Sequence, residues 1–302
     1  MKHWIKISAI ALAAVAVLAG GAFATALQLG DRKMHRRIAV NPPAVAAASD
    51  ATSIERGRYL FMSRGCSECH GATGTGKDVV NEPGGLLIHA PNITPAPGSV
   101  VTAYQAVDWV RSIRHGVKPN GEPILVMPSE DYNRLTDTDL AALIGFVRQL
   151  PAAEGAGATI RFPPMVKALY GFGAIPDAAQ KIDHTLPPSQ PIAEGVTPEH
   201  GAYVANACIG CHGAALSGGK IPGTPPDWPP AANLTPAPDG AMARYPTAEA
   251  FATMLRTGKR PDGSAVSSVM PFPALQAMND TDVKAMYLHL KRLPAVPTGE
   301  KR

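Results

Sequence analysis

The string Cys-x-x-Cys-His occurs twice, as Cys66-Ser67-Glu68-Cys69-His70 and Cys208-Ile209-Gly210-Cys211-His212, and the two copies use all four cysteines. That spacing suits covalent attachment of a c-type haem: the thiols form thioethers to the porphyrin edge and the adjacent imidazole reaches the iron. A single such string also fits half of a zinc site or a thiol redox motif. Two copies with no cysteine to spare point to haem at both, and leave no thiol for a disulfide.

A haem iron held by one histidine has a sixth position to fill. A thioether there is a soft, neutral ligand that favours Fe(II), raises the reduction potential and closes the iron to substrates. Met127 and Met270 are each followed by proline, in segments rich in Pro and Gly, and they lie 61 and 62 residues beyond the first cysteine of their respective strings. They are the expected sixth ligands, with His70 and His212 as the fifth. The proximal histidines are expected to donate their other ring N–H to a backbone carbonyl. Methionine more often fills core gaps, and that reading is applied to Met62, Met165, Met254, Met278 and Met286.

The methionines belong to a longer repeat. Asn92-Ile93-Thr94-Pro95 matches Asn233-Leu234-Thr235-Pro236, Arg114-His115-Gly116 matches Arg256-Thr257-Gly258, and Leu150-Pro151 matches Leu293-Pro294. The chain is an internal duplication, with one haem unit per copy. Asn92 and Asn233 are candidates for ordering the haem edge or its loop, or for a simple turn. His89 and His115 would be alternative iron ligands in the first copy, but neither has a histidine counterpart in the second. His184, His200 and His289 read as solvated positions.

The 302 residues suffice for two domains, and 30 Pro with 29 Gly indicate much loop. Ile7 to Gly30 carries no charge; at about 1.5 Å rise per residue it crosses a bilayer core of about 30 Å. A cleavable export signal is the competing reading, and Ala22-Phe23-Ala24 fits its cleavage site, but the run exceeds the usual apolar region of a signal. Either way the body is exported, to the periplasmic side of the inner membrane. The net charge of +4 comes from the membrane-proximal end, where residues 1–37 hold six Lys/Arg and one Asp. The cluster Arg32, Lys33, Arg36, Arg37 runs against the positive-inside rule, with anionic headgroups as its one evident partner. No basic patch with interleaved aromatics supports nucleic-acid binding.

The chain therefore divides into an anchor or signal (1–30), a linker (31–52), a first haem domain (53–152), an interdomain stretch (153–194), a second haem domain (195–296) and a tail (297–302). Thr52-Ser53 and Thr197-Pro198 are expected to open the helices before the haem strings. Gly57 and Gly201 inside those helices predict close helix crossings. Further helices are predicted over 103–115 and 247–257, ending at Gly116 and Gly258, and from Thr136-Asp137 and Asn279-Asp280 to the closing prolines. The fold class is all-α, three or four helices around each haem with almost no strand. The 153–194 stretch reads as a linker packed across both lobes, or else as a docking surface.

The runs Ala90-Pro91-Asn92-Ile93-Thr94-Pro95, Arg114-His115-Gly116-Val117, Met127-Pro128 and Leu135-Thr136-Asp137-Thr138-Asp139-Leu140, with their second copies, resemble the multihaem cytochrome c subunits of membrane-bound alcohol and gluconate dehydrogenases. Diheme cytochromes of molybdenum-containing aldehyde and N-heterocycle dehydrogenases are similar. The resemblance implies two tandem class I-like cytochrome c domains and two covalent haem c groups. The first would be served by Cys66, Cys69, His70 and Met127, the second by Cys208, Cys211, His212 and Met270. It further implies an electron carrier with no catalytic residues of its own. Its donor would be a periplasmic dehydrogenase, and its acceptor another cytochrome, a quinone or a terminal oxidase. The competing class is a diheme redox enzyme of peroxidase or thiosulfate dehydrogenase type, with one open iron.

Overall fold

The structure is a computed structural model that describes residues 2–224 and 227–300. It opens with a 33-residue helix, α1 (Lys2–Met34). Its apolar window is fully exposed within the chain, which is the pattern of a helix solvated by something other than this protein.

Two helical lobes follow, each with its own buried core. In the first, α2 (Ala51–Ser63), α3 (Cys66–His70), α4 (Ala106–His115), α5 (Ser129–Tyr132) and α6 (Asp137–Arg148) surround Leu60, Phe61, Val110, Leu140 and Ile144. The second follows two short helices, α7 (Pro164–Gly171) and α8 (Ala178–Lys181). It is built from α9 (Pro198–Ala205), α10 (Ile209–His212), α11 (Ala248–Thr257), α12 (Phe272–Gln276) and α13 (Asp280–Arg292) around Val204, Met242, Leu255, Met286 and Leu290. Each large apolar side chain fully buried here contributes about 1.5–3 kcal/mol.

The helix starts follow from their capping residues. Thr136, Thr197 and Asn279 accept the backbone N–H groups of Asp139, His200 and Asp282, as N-caps do. Helix α2 starts earlier than expected: Asp50, not Thr52 or Ser53, is its cap, accepting from the Ser53 N–H at 2.9 Å. Gly116 and Gly258 end α4 and α11 in the left-handed region, at φ 63° and 68°. The crossings predicted at Gly57 and Gly201 are present. A Cβ at Gly57 would overlap the Ala142 carbonyl of α6, and one at Gly201 would overlap the Ala285 carbonyl of α13. Each haem string is thus held at the end of a helix clamped against the last helix of its own lobe.

The all-helical expectation needs one amendment. Lys77–Asn81 (β1), Leu87–Ala90 (β2) and Thr159–Arg161 (β3) form an antiparallel sheet in the order β1-β2-β3. The β-branched pair Val79-Val80 and the strand Leu87-Ile88-His89 flank a Gly84-Gly85 turn, which is hairpin chemistry. β3 sews the 153–194 stretch onto the loop after the first haem string.

That stretch also forms α7 (Pro164–Gly171) and α8 (Ala178–Lys181). It packs on the apolar helix, not only across the lobes. Lys33 Nζ donates to the Tyr170 carbonyl at 2.7 Å and sits 4.2 Å from that ring's centre. Arg36 makes a forked pair with Asp177 at 2.7 and 2.8 Å, and Arg37 donates to the Asn120 carbonyl. The basic cluster that the sequence left without a protein partner therefore stitches α1 to the body. The linker after it is fastened to the first lobe by Ile38 N–H to the Gly121 carbonyl and Ala48 N–H to the Ala141 carbonyl.

The lobes meet across a pseudo-two-fold contact. Tyr59 O–H donates to Asp282 of the second lobe at 2.6 Å and accepts from the Asn279 N–H. Its counterpart Tyr203 donates to Asp139 of the first lobe at 2.7 Å and accepts from the Thr136 N–H. Within each lobe the same carboxylate takes a second partner, Arg56 on Asp139 and His200 on Asp282. His200 is therefore not solvated as the sequence suggested: it is 2% exposed, with Nε2 2.8 Å from Asp282.

Candidate functional site

Helices α3 and α10 present the two Cys-x-x-Cys-His strings. His70 Nδ1 lies 2.9 Å from the Pro91 carbonyl oxygen, and His212 Nδ1 lies 2.7 Å from that of Ala232. Each ring therefore donates from Nδ1, leaving the Nε2 lone pair for an iron. Burial lowers the basicity of both rings, and the carbonyl bond opposes it only in part. Both stay neutral, as a ligand must.

The carbonyls are fixed in turn by the asparagines that follow them. Asn92 Nδ2 donates to the Ala153 carbonyl at 2.8 Å while its Oδ1 accepts the Thr94 N–H. Asn233 repeats this with Val296 and Thr235. Both are almost fully buried. They order the loop that orients each proximal histidine and are more than simple turn formers.

In the second lobe one cleft is lined by Cys208, His212 and Met270 together. Leu234, Met242, Phe251, Leu255 and Met286 make the rest of its wall apolar, and Arg244, Arg260 and Tyr245 are its polar members. In the first lobe Cys66 and Met127 pack on the same core as Trp109, Leu60 and Tyr132. A surface cleft there is lined by Ile93, Tyr104, Trp109 and Arg148. Burial pushes the Cys66 and Cys208 thiols up to about 12, so neither is a free thiolate nucleophile. A soft sulfur, a neutral imidazole and a paired-thiol edge around an apolar slot fit a c-type haem. The arginines fit its carboxylates.

The alternative ligands are engaged elsewhere. His89 on β2 pairs with Asp78 at 2.7 Å. His115 and His184 face each other, Nδ1 to Nδ1 at 3.0 Å, and His184 also reaches the Ala179 carbonyl. His184 is thus half-buried and bonded, not a solvated position. Met254, Met278 and Met286 are core residues as expected, but Met165 is 61% exposed.

Sequence reasoning missed α5 and α12, which follow the methionine loops. Asp131 of α5 accepts the Gly210 N–H of the second haem string at 2.6 Å, and its carbonyl accepts from Asn206. Ala274 of α12 lies against Gly65, next to the first string. Each methionine loop therefore ends against the other lobe's string. The signal available was position: both short helices start directly after Met-Pro.

The cytochrome c family model matches residues 54–151 and again 199–294. The chain is 25% identical to the fructose dehydrogenase cytochrome subunit of Gluconobacter japonicus, over 98% of this chain and 61% of that protein. It is 26% identical to the cytochrome c subunit of the quinone-type alcohol dehydrogenase of Gluconobacter oxydans, over 84% of this chain and 58% of that one. One subunit of the nicotinate dehydrogenase of Pseudomonas putida is 27% identical over 85% of this chain and 23% of its own length. The chain spans about three-fifths of the length of the first two relatives.

Proposed function

The chain belongs to the cytochrome c family, and from that premise we propose that it is a diheme electron carrier serving a periplasmic dehydrogenase. One haem would be held by Cys66, Cys69, His70 and Met127, and the other by Cys208, Cys211, His212 and Met270. The observation that carries this reading is the cleft in which Cys208, His212 and Met270 meet while His212 is oriented from behind by the Ala232 carbonyl.

The bound groups would supply reversible one-electron chemistry. The protein's own part is to keep both imidazoles neutral and oriented, to line the slot with apolar side chains that exclude water, and to offer Arg244 and Arg260 to the haem carboxylates. Sulfur ligation leaves no vacancy for a substrate, which sets this reading against a peroxidase. Electrons would pass from a dehydrogenase of the kind that the relatives serve to a membrane-side acceptor such as another cytochrome, a quinone or a terminal oxidase. Helix α1 would hold the lobes at the periplasmic face of the inner membrane.

A haemochrome assay on the purified chain should give two haems per polypeptide. The oxidised protein should show the weak far-red charge-transfer band of sulfur-ligated ferric haem, reduced in Met127→Ala and in Met270→Ala. Absence of the band from the unmodified protein, or turnover of peroxide without any dehydrogenase, would overturn the proposal.

A further inference from the structure

Helix α7 carries an apolar stripe that no described part of the chain covers. Met165, Leu169 and Phe172 are 61%, 40% and 61% exposed. They recur at i, i+4 and i+7, on one face of α7 and its C-cap. The opposite side of α7 lies on α1. A Cβ on Gly171 would overlap the Ala26 carbonyl, and one on Gly30 would meet the Lys167 carbonyl, so the two backbones touch. Lys167 pairs with Asp31 at 2.5 Å, and the Lys33 bond to Tyr170 closes the other end.

The place of this contact on α1 decides what covers the stripe. Ala26 to Gly30 is the last turn of the uncharged run, directly before the charged residues Asp31, Arg32 and Lys33. In a helix that spans a bilayer, that turn lies at the boundary between acyl chains and headgroups. A short helix docked there by its backbone, with three large apolar side chains turned away from the protein, is placed as interfacial helices are.

Resting on the reading of α1 as a retained membrane helix, we propose that α7 is a second membrane contact. It lies in the interface with Met165, Leu169 and Phe172 in the outer acyl region. The 153–194 stretch then fixes the lobes' tilt and height over the bilayer, because α8 and β3 of the same stretch hold the first lobe: Lys181 pairs with Glu130 at 2.6 Å, and β3 pairs with β2. A single spanning helix alone would leave the lobes free to swivel.

The test places nitroxide labels on the full holoprotein in phosphatidylethanolamine–phosphatidylglycerol vesicles. The native cysteines are taken up by haem, so Phe172→Cys, Met165→Cys, Leu12→Cys and Glu199→Cys each give one reactive thiol. Collision with dissolved oxygen is compared with collision with a water-soluble nickel chelate. Labels at 165 and 172 should show an oxygen-to-nickel ratio several-fold above that at 199, approaching that at 12. A lipid-like label at 12 with water-like labels at 165 and 172 overturns the inference alone. Water-like labels at all these positions overturn the membrane reading of α1 together with it. Labels at 165 and 172 that lose contact with nickel only when the partner dehydrogenase is added would assign the stripe to a protein and likewise refute a lipid contact.

Discussion

Asp282 is where removing one charge should cost most. Its side chain is fully buried and accepts from Arg64 at 2.7 Å, Tyr59 at 2.6 Å and His200 at 2.8 Å. Burial by itself pushes the carboxyl up. Arg64, Tyr59 and His200 outweigh that and hold it below the ordinary range, so its stabilisation is present above the unfolded pKa and lost as acid protonates it. The variant Asp282→Asn keeps the shape but leaves the Arg64 guanidinium, with a side chain only 4% exposed, without a counter-charge. Breaking a buried pair from one side costs about 3–5 kcal/mol. The matched variant Asp139→Asn is milder. Its cation Arg56 has a side chain 23% exposed and keeps Glu194 at 3.6 Å, so about 1–2 kcal/mol is expected, the cost of lost charge-assisted hydrogen bonds. Guanidinium unfolding of the two variants, followed by circular dichroism and haem absorption, should separate them by at least about 1 kcal/mol. Arg64→Met added to Asp282→Asn should recover part of the loss, with a coupling of about 0.5–3 kcal/mol. Equal costs at 139 and 282, or a loss under about 1 kcal/mol at 282, would refute the idea that this carboxylate holds the lobes together.

Gly201→Ala should destabilise by about 1–3 kcal/mol or more through overpacking against α13, read as a lower thermal midpoint. A midpoint unchanged from the parent would mean that the crossing relaxes freely. Burial pushes Asp131 up to about 8, against the Gly210 N–H that lowers it. As pH rises through about 8 its new negative charge beside the second haem string should lower that haem's midpoint potential, and Asp131→Asn should flatten the slope; the stability its bound proton adds is complete below about pH 4 and is lost progressively as pH rises from there to about 8. Potentiometric titration across about pH 8 checks the potential, and urea melts between about pH 4 and 8 check the stability. Burial first, then His184 and Arg114, lower His115 to about 4, whereas an unfolded histidine titrates near 6.5. The stability this site adds is complete above about 6.5 and lost as pH falls through 4. Allowing for solvent at the ring edge, that loss is about 1–2 kcal/mol, which His115→Gln should abolish in urea melts at the two pH values.

What the sequence made legible was local or repeated. The duplication, the caps Thr136, Thr197 and Asn279, and the crossings at Gly57 and Gly201 follow from short local patterns, most of them found twice. Among the described residues the hairpin β1–β2 occurs in one copy only, so the repeat hid it. His200 looked solvated because its partner Asp282 lies 82 residues on, and nothing near the histidine hints at a buried carboxylate. Met165 was taken for core filler because an apolar stripe reads the same whether protein or lipid covers it. The bond from Tyr59 to Asp282 spans 223 residues, beyond any local pattern.

On the proposed function, the duplication would let one domain plan yield two unlike redox sites. Both lobes present the same proximal bond, asparagine latch and methionine loop, so the ligands alone would give similar potentials. The difference enters where each lobe touches the other's haem string. Asp131 of α5 meets Gly210, whereas the matching Ala274 of α12 meets Gly65. Arg64, two residues before Cys66, is neutralised by Asp282, and the second string has no arginine in that place. A buried acid therefore meets the second string and has no acidic match beside the first, whereas Arg64, already paired with Asp282, bears on both Cys66 and Cys208. A positive charge beside a haem favours the reduced form and a negative charge the oxidised form. On the proposed function, the first haem is the higher-potential site at pH values where Asp131 is ionised, and electrons settle there. The contact that binds the lobes thus also makes the two ends of the pair unequal. Exchanging its charges, by Asp131→Ala together with Ala274→Asp, should narrow or invert the gap between the two midpoints while leaving the far-red sulfur band in place. A gap unmoved by that exchange would assign the inequality to the haem slots themselves.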